Sequence, residues 1–126
     1  MIGKDRRLVE REIRKVLKYK KPFFSYSVIA NVSANRNGFP RFAAIFSGKS
    51  VRCGVSRNFF RRRAYELARP YLGIETSTDV VIVPKKGRPL DHRDESAVNA
   101  FEADVSHLYA KIFSSPSPTG FSGTKR

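Results

Sequence analysis

Between positions 57 and 65 the chain reads Arg-Asn-Phe-Phe-Arg-Arg-Arg-Ala-Tyr. At helical spacing Arg57, Arg61, Tyr65, Asn58 and Arg62 fall within about 140° of arc, with Phe59, Phe60, Ala64 and Leu67 on the other side. Such a face gathers guanidinium forks beside an amide and a phenol, a combination suited to phosphate oxygens. Arg63 falls among the apolar positions and must run its guanidinium outward over them or mark the end of regular burial. Other chemistry is harder to assemble. Gly48-Lys49-Ser50 has the ending of a phosphate-binding P-loop, but that motif needs glycine where Ala43 stands, which excludes nucleotide hydrolysis. His92 and His107 lack metal-ligand spacing. Asp91, Asp94 and Glu95 lie near a helix start, where acids complement the helix dipole. Cys53 is the single cysteine, so no internal disulfide or thiolate zinc set can form, and it is expected as a small buried hydrophobe in a reducing compartment.

The charge agrees with the arginine face. The 126 residues hold 25 Lys and Arg against 11 Asp and Glu, and 18 of the basic but only 4 of the acidic residues lie in positions 1–69. An excess confined to one half of the chain is the footprint of a basic surface that meets a polyanion, nucleic acid first. Arginine-rich helices are common on protein surfaces, and it is the charge asymmetry that lifts this one above that background. The length allows one domain with one core and excludes a multidomain enzyme. Hydrophobic residues at 40% exclude a wholly disordered basic chain. No uncharged apolar stretch approaches a membrane span. Residues 1–21 are basic like a transit peptide, but Asp5, Glu10 and Glu12 and the lack of an apolar core mark a mature helix, so a cytoplasmic location is expected.

The elements that would carry this face follow from periodicity. Val9, Ile13, Val16 and Leu17 predict an amphipathic helix over 5–18, closed before Pro22. Alternation from Phe24 to Val32 predicts a single strand over 23–34. The turn signal at 35–40 predicts that 41–47 returns beside it as an antiparallel hairpin partner. Residues 48–54 form a loop or a short extra strand, and 55–69 a second helix closed by Pro70. The β-branched run 80–83 is a central strand covered on both faces. Residues 94–113 form a third helix capped by Asp94, Glu95 or Ser96, and 114–126 a disordered basic tail. The sum is an α+β sandwich, one domain over 1–113 followed by the tail.

Lys49, the run Arg57-Asn58-Phe59-Phe60-Arg61-Arg62 and the strand Asp79-Val80-Val81-Ile82-Val83 together resemble the Arg-Asn motif region and next strand of the bacterial ribonuclease P protein subunit. The similarity runs from about residue 4 to residue 113. It implies the order α-β-β-β-α-β-α, a ribosomal-protein-like domain with a left-handed strand-helix-strand crossover, against the common hand. It also implies a noncatalytic RNA-binding subunit of a ribonucleoprotein endoribonuclease. In that enzyme an RNA acting with magnesium removes the 5′ leader of precursor tRNA, and the protein supports the RNA and holds the leader. The implied partners are the ribonuclease P RNA and the leader, with no membrane and no obligate protein partner.

Arg57, Asn58, Arg61 and Arg62 match the family positions that contact the catalytic RNA; Lys49, Arg52, Arg63 and Tyr65 complete the expected RNA-binding set. Phe59 and Tyr65 stand where the family usually carries basic residues. For the leader, the resemblance points to a cleft between the sheet and the first helix: Tyr26 matches its strand position, Phe23 and Phe24 lie nearby, and Ile13 and Leu17 align with aromatic positions of the helix. Bases stacking on aromatic faces while cations track the backbone is how single-stranded RNA is held. The rival readings are a ribosomal or ribosome-assembly RNA-binding protein and a DNA-binding protein that lays its second helix in the major groove. An independent protein nuclease lacks any acid-base or metal constellation.

Overall fold

The β-branched run at the centre of the chain organises the molecule. In the computed structural model, which describes residues 3–19, 21–48, 51–85 and 90–114, a turn of 3-10 helix at Lys4–Arg6 precedes α1 (Glu10–Lys18), β1 (Lys21–Phe24), β2 (Val28–Ala34), β3 (Arg41–Ala44), α2 (Gly54–Ala68), β4 (Thr78–Pro84) and α3 (Glu95–Ser114). The four strands lie in the order β1-β2-β4-β3. β4 pairs antiparallel with β2 and parallel with β3. Val80 and Ile82 face the larger core with Phe60 and Ala64 of α2 and Phe101, Val105 and Tyr109 of α3. Val81 faces a smaller core with Val16 of α1, Leu8 and Ala43. The sheet is therefore covered on both faces, α2 and α3 on one and α1 on the other, and this is the expected α+β order.

Three local expectations change. The strand expected over 23–34 is two strands, because Ser25-Tyr26-Ser27 turns the chain. The Ser25 hydroxyl donates to the Val28 carbonyl at 2.7 Å, and the Ser27 backbone N–H donates to Asp104 of α3 at 2.9 Å. The expected hairpin partner of β2 is also wrong: β3 pairs with β4, which inserts between the two. The link leaving β2 is tied to the start of β4, with the Asn35 N–H donating to the Ser77 carbonyl at 2.9 Å and Asn35 Nδ2 to Asp79 Oδ1 at 2.7 Å. That leaves room for a strand between β2 and β3. Within this link Gly38 takes φ 79°, a conformation that favours glycine. Finally, α1 begins at Glu10 rather than at residue 5, because Leu8 N–H donates to the Phe42 carbonyl at 2.9 Å and holds the preceding segment along β3.

The other ends follow their signals. Asp94 Oδ1 accepts from the N–H groups of Ser96 and Ala97 at 3.0 and 3.3 Å, capping α3. Pro70 ends α2, and the chain continues as one turn of 3-10 helix at Arg69–Tyr71. The Tyr109 hydroxyl donates to the Ala64 carbonyl at 3.0 Å, pinning α3 to α2, and complete burial pushes its pKa up. Ser114, expected to open the tail, is the last residue of α3; Lys49, Ser50 and the rest of the expected tail, 115–126, lie outside the described residues.

Candidate nucleic-acid interface

The first turn of α2 carries no acidic residue. Its N-cap position is Cys53, which is exposed rather than buried, because it sits on the outside of the turn that enters the helix. Arg57 turns back on that entry: Nη1 donates to the carbonyls of Val51 and Arg52 at 2.8 and 3.0 Å. A Cβ at Gly48 or Gly54 would stand 3.6 or 3.4 Å from its guanidinium nitrogens. Arg61 donates to the Asn58 amide oxygen. Asn58, Arg62 and Arg52 are exposed. No carboxylate of the described residues pairs with Arg57, Arg61 or Arg62.

Arg63 differs from its neighbours. Nε and Nη2 reach Glu102 of α3 at 2.6 and 2.5 Å, and Nη1 reaches Glu66 at 2.7 Å. Its charge is matched within the protein and ties α2 to α3. Tyr65, expected on the polar side, is only 8% exposed and joins the larger core. Burial raises its pKa, opposed by a hydrogen bond with the Ala44 backbone and by Arg7 and Arg61. The reason is the direction of the buried arc. Counting from Arg57 at 100° per residue, the buried Ser56, Phe60, Ala64, Ala68 and Tyr65 span about 260° round to about 80°, so the outward direction lies near Asn58 and Arg62.

The second basic region lies on the opposite face of the sheet. An open groove of about 860 Å³ runs between α1 and the ends of β2 and β4, lined among others by Arg11, Lys15, Ser33, Arg36, Arg41 and Asp79. The aromatics expected near it separate. Phe24 pairs with Ile29 and faces α1, whereas Phe23 pairs with Ala30 and faces the larger core. Phe24 is 62% exposed, and Tyr26, in the turn, 63%. The ring of Phe23 is flanked by the ammonium groups of Lys21 and Lys111, each 5.8 Å from its centroid. Ile13 and Leu17 are half-buried against the smaller core and hold α1 on the sheet. Sequence reasoning missed Tyr19, 64% exposed just past α1 with Lys18 beside its ring; an aromatic set among Lys18, Lys20 and Lys21 was the available signal. It also missed the groove cations: Arg11 and Lys15 read from the sequence only as part of an amphipathic helix, Arg36 as part of a turn and Arg41 as part of a strand.

The family model described as Ribonuclease P matches residues 2–112. The chain belongs to the ribonuclease P protein family. No curated protein matches it. Among solved structures it is similar to the RNase P protein of Staphylococcus aureus, with a TM-score of 0.68 and 13% identity over 86% of this chain and 95% of that one. It is also similar to the RNase P protein of Thermotoga maritima, with a TM-score of 0.59 and 19% identity over 86% of this chain and 92% of that one. Three helices on a four-stranded mixed sheet are thus the architecture of bacterial RNase P proteins, and membership makes the chain a subunit of an enzyme of tRNA processing.

Within that family frame the remaining polar groups find local roles. The Ser56 hydroxyl lies 2.7 Å from His92 Nδ1 and accepts from the His92 N–H at 3.1 Å, joining the loop before α3 to the first turn of α2. His107 is exposed on α3. Among the described residues no three His, Cys, Asp or Glu side chains gather as a metal holder. No helix of the described residues is long and apolar enough to cross a membrane.

Proposed function

We propose that this protein is the noncatalytic RNA-binding subunit of ribonuclease P, acting in the cytoplasm. It binds the catalytic RNA through the face of α2 centred on Asn58 and Arg62, with the half-buried Arg57 and Arg61 at its edge, and holds the 5′ leader of precursor tRNA along the α1 side of the sheet. The observation that carries the reading is the pairing of charges on α2. Arg57, Arg61 and Arg62 have no carboxylate partner among the described residues, while Arg63, one position on, has two. A guanidinium without an internal counter-ion is free to neutralise a phosphate and so release a counterion condensed on the RNA. Arg57 and Asn58 sit in the first turns of α2, where the helix dipole adds positive potential.

For the leader, Phe24 and Tyr26 offer exposed ring faces, and the groove cations Arg11, Lys15 and Arg36 offer charge to the backbone. Magnesium, carried mainly by the RNA, would neutralise phosphates and activate the attacking water. The test is reconstitution. The purified chain added to a bacterial ribonuclease P RNA should restore precursor-tRNA cleavage at low magnesium, and the chain without RNA should cleave nothing. Cleavage by the chain alone, or no rescue of the RNA, would overturn the reading.

A further inference from the structure

Four residues distant in sequence meet at one end of the α1 groove. Arg41, at the start of β3, donates through Nε and Nη2 to the two oxygens of Asp79 on β4, both at 3.0 Å. Through Nη1 it donates to Glu12 in the first turn of α1. The other oxygen of Glu12 accepts the Val9 N–H at 2.9 Å, so the same carboxylate closes the helix start. Asn35, just past β2, donates to Asp79 at 2.7 Å. The side chains of Arg41 and Asp79 are 16% and 8% exposed, so this assembly is largely sheltered from water.

We propose that Arg41 is a positioning residue: by bridging Glu12 and Asp79 it fixes α1 over the sheet and so sets the groove in which the leader lies. The proposal rests on the leader reading above. α1 has nine residues and holds the sheet through Val16 and the half-buried Ile13 and Leu17. Apolar packing of so short a helix is non-directional and leaves its tilt and slide weakly set. A bidentate guanidinium has a fixed plane and fixes orientation as well as distance. With two carboxylates on it, Arg41 has no charge left over for phosphate. It differs in this from Arg11, Lys15 and Arg36, which line the same groove. A phosphate ligand and a positioning residue therefore predict different salt behaviour on substitution.

The experiment uses the full chain reconstituted with ribonuclease P RNA and measures affinity for precursor tRNAs with progressively longer leaders and for tRNA without one, across a salt series. Three variants are compared with the wild type: Arg41→Met, Arg41→Lys and Glu12→Gln. The last keeps an acceptor for Val9 N–H and a helix start while removing the charge pair, so it is expected to fold even if Arg41→Met does not. The affinity gained from the leader should fall about tenfold in Arg41→Met and less in the other two, the loss expected for a sheltered charged hydrogen bond. Affinity for leaderless tRNA and the salt slope should stay at wild-type values. An equal loss with and without a leader would make the assembly merely structural and overturn the proposal. A salt slope reduced by about one unit would make Arg41 a phosphate ligand and overturn it too. Unchanged leader gain in all three variants overturns it while leaving the leader reading intact. A wild-type enzyme that gains nothing from a leader removes that reading and the proposal together.

Discussion

The outer face of α2 and the groove beneath α1 are both rich in cations, yet they differ in where the acids lie. On α2, Arg57 and Arg61 meet carbonyl and amide oxygens of their own segment, and Arg62 faces solvent. In the groove, Glu12 and Asp79 match Arg41. A guanidinium becomes a strut or a ligand according to whether the fold brings a carboxylate to it. Arg62 and Arg63 show the same division one residue apart.

Removing the ligand class should have the largest effect. Arg61→Ala with Arg62→Ala should weaken binding to ribonuclease P RNA on the order of a hundredfold at low salt and flatten the salt dependence by about two units, one per phosphate lost. Titrations across a salt series check both, and an undiminished slope would take α2 out of the interface. The aromatic side of the comparison comes next. Phe24→Ala or Tyr26→Ala should lower leader-dependent affinity about tenfold, the worth of one stacked base, without altering RNA-subunit binding. Phe23→Ala, on the other face of the sheet, should instead lower the melting temperature and leave leader affinity alone. If Phe23→Ala costs leader affinity as much as Phe24→Ala does, the separation of the two faces is wrong. The strut on α2 should matter less: Arg63→Met is expected to cost about 1 kcal/mol of stability or less in a denaturant titration, because the pair is partly solvated, with the salt slope of RNA binding unchanged.

What the sequence made legible was set by the range of the interactions involved. β4 and α3 were readable because a β-branched run and a long apolar repeat carry their own signal. The partner of β3 was not, since adjacency to β4 is decided by a link that sends Asn35 to Asp79, 44 positions away. The break in the 23–34 strand was hidden because Ser25-Tyr26-Ser27 continues the alternation of polar and apolar residues through the turn. In the candidate site, residue type was readable and role was not. Arg63 could be placed near the apolar arc, but its pairing with Glu102 spans 39 positions. Tyr65 was misplaced because the buried arc of α2 fills about half a turn and is rotated toward Tyr65, beyond what the apolar residues alone mark.

The smallest expected effect sharpens the contrast from the groove side. The Val9 N–H, followed by Arg41 and with burial opposing, holds the Glu12 carboxyl below its ordinary value. A carboxyl whose folded pKa is depressed contributes stability in full above its unfolded value and loses that contribution as pH falls through the folded one. The wild type should therefore exceed Glu12→Gln in melting temperature at neutral pH, and the two should converge only on acidification below the ordinary glutamate range. Arg62→Ala should show no such convergence with the wild type, since no carboxylate of the described residues pairs with Arg62. Melting curves of the three proteins across that range are enough. No gap between wild type and Glu12→Gln at neutral pH would mean that Glu12 acts by its shape, which glutamine keeps, rather than by its charge, and the groove would then owe its geometry to Asp79 and Arg41 alone.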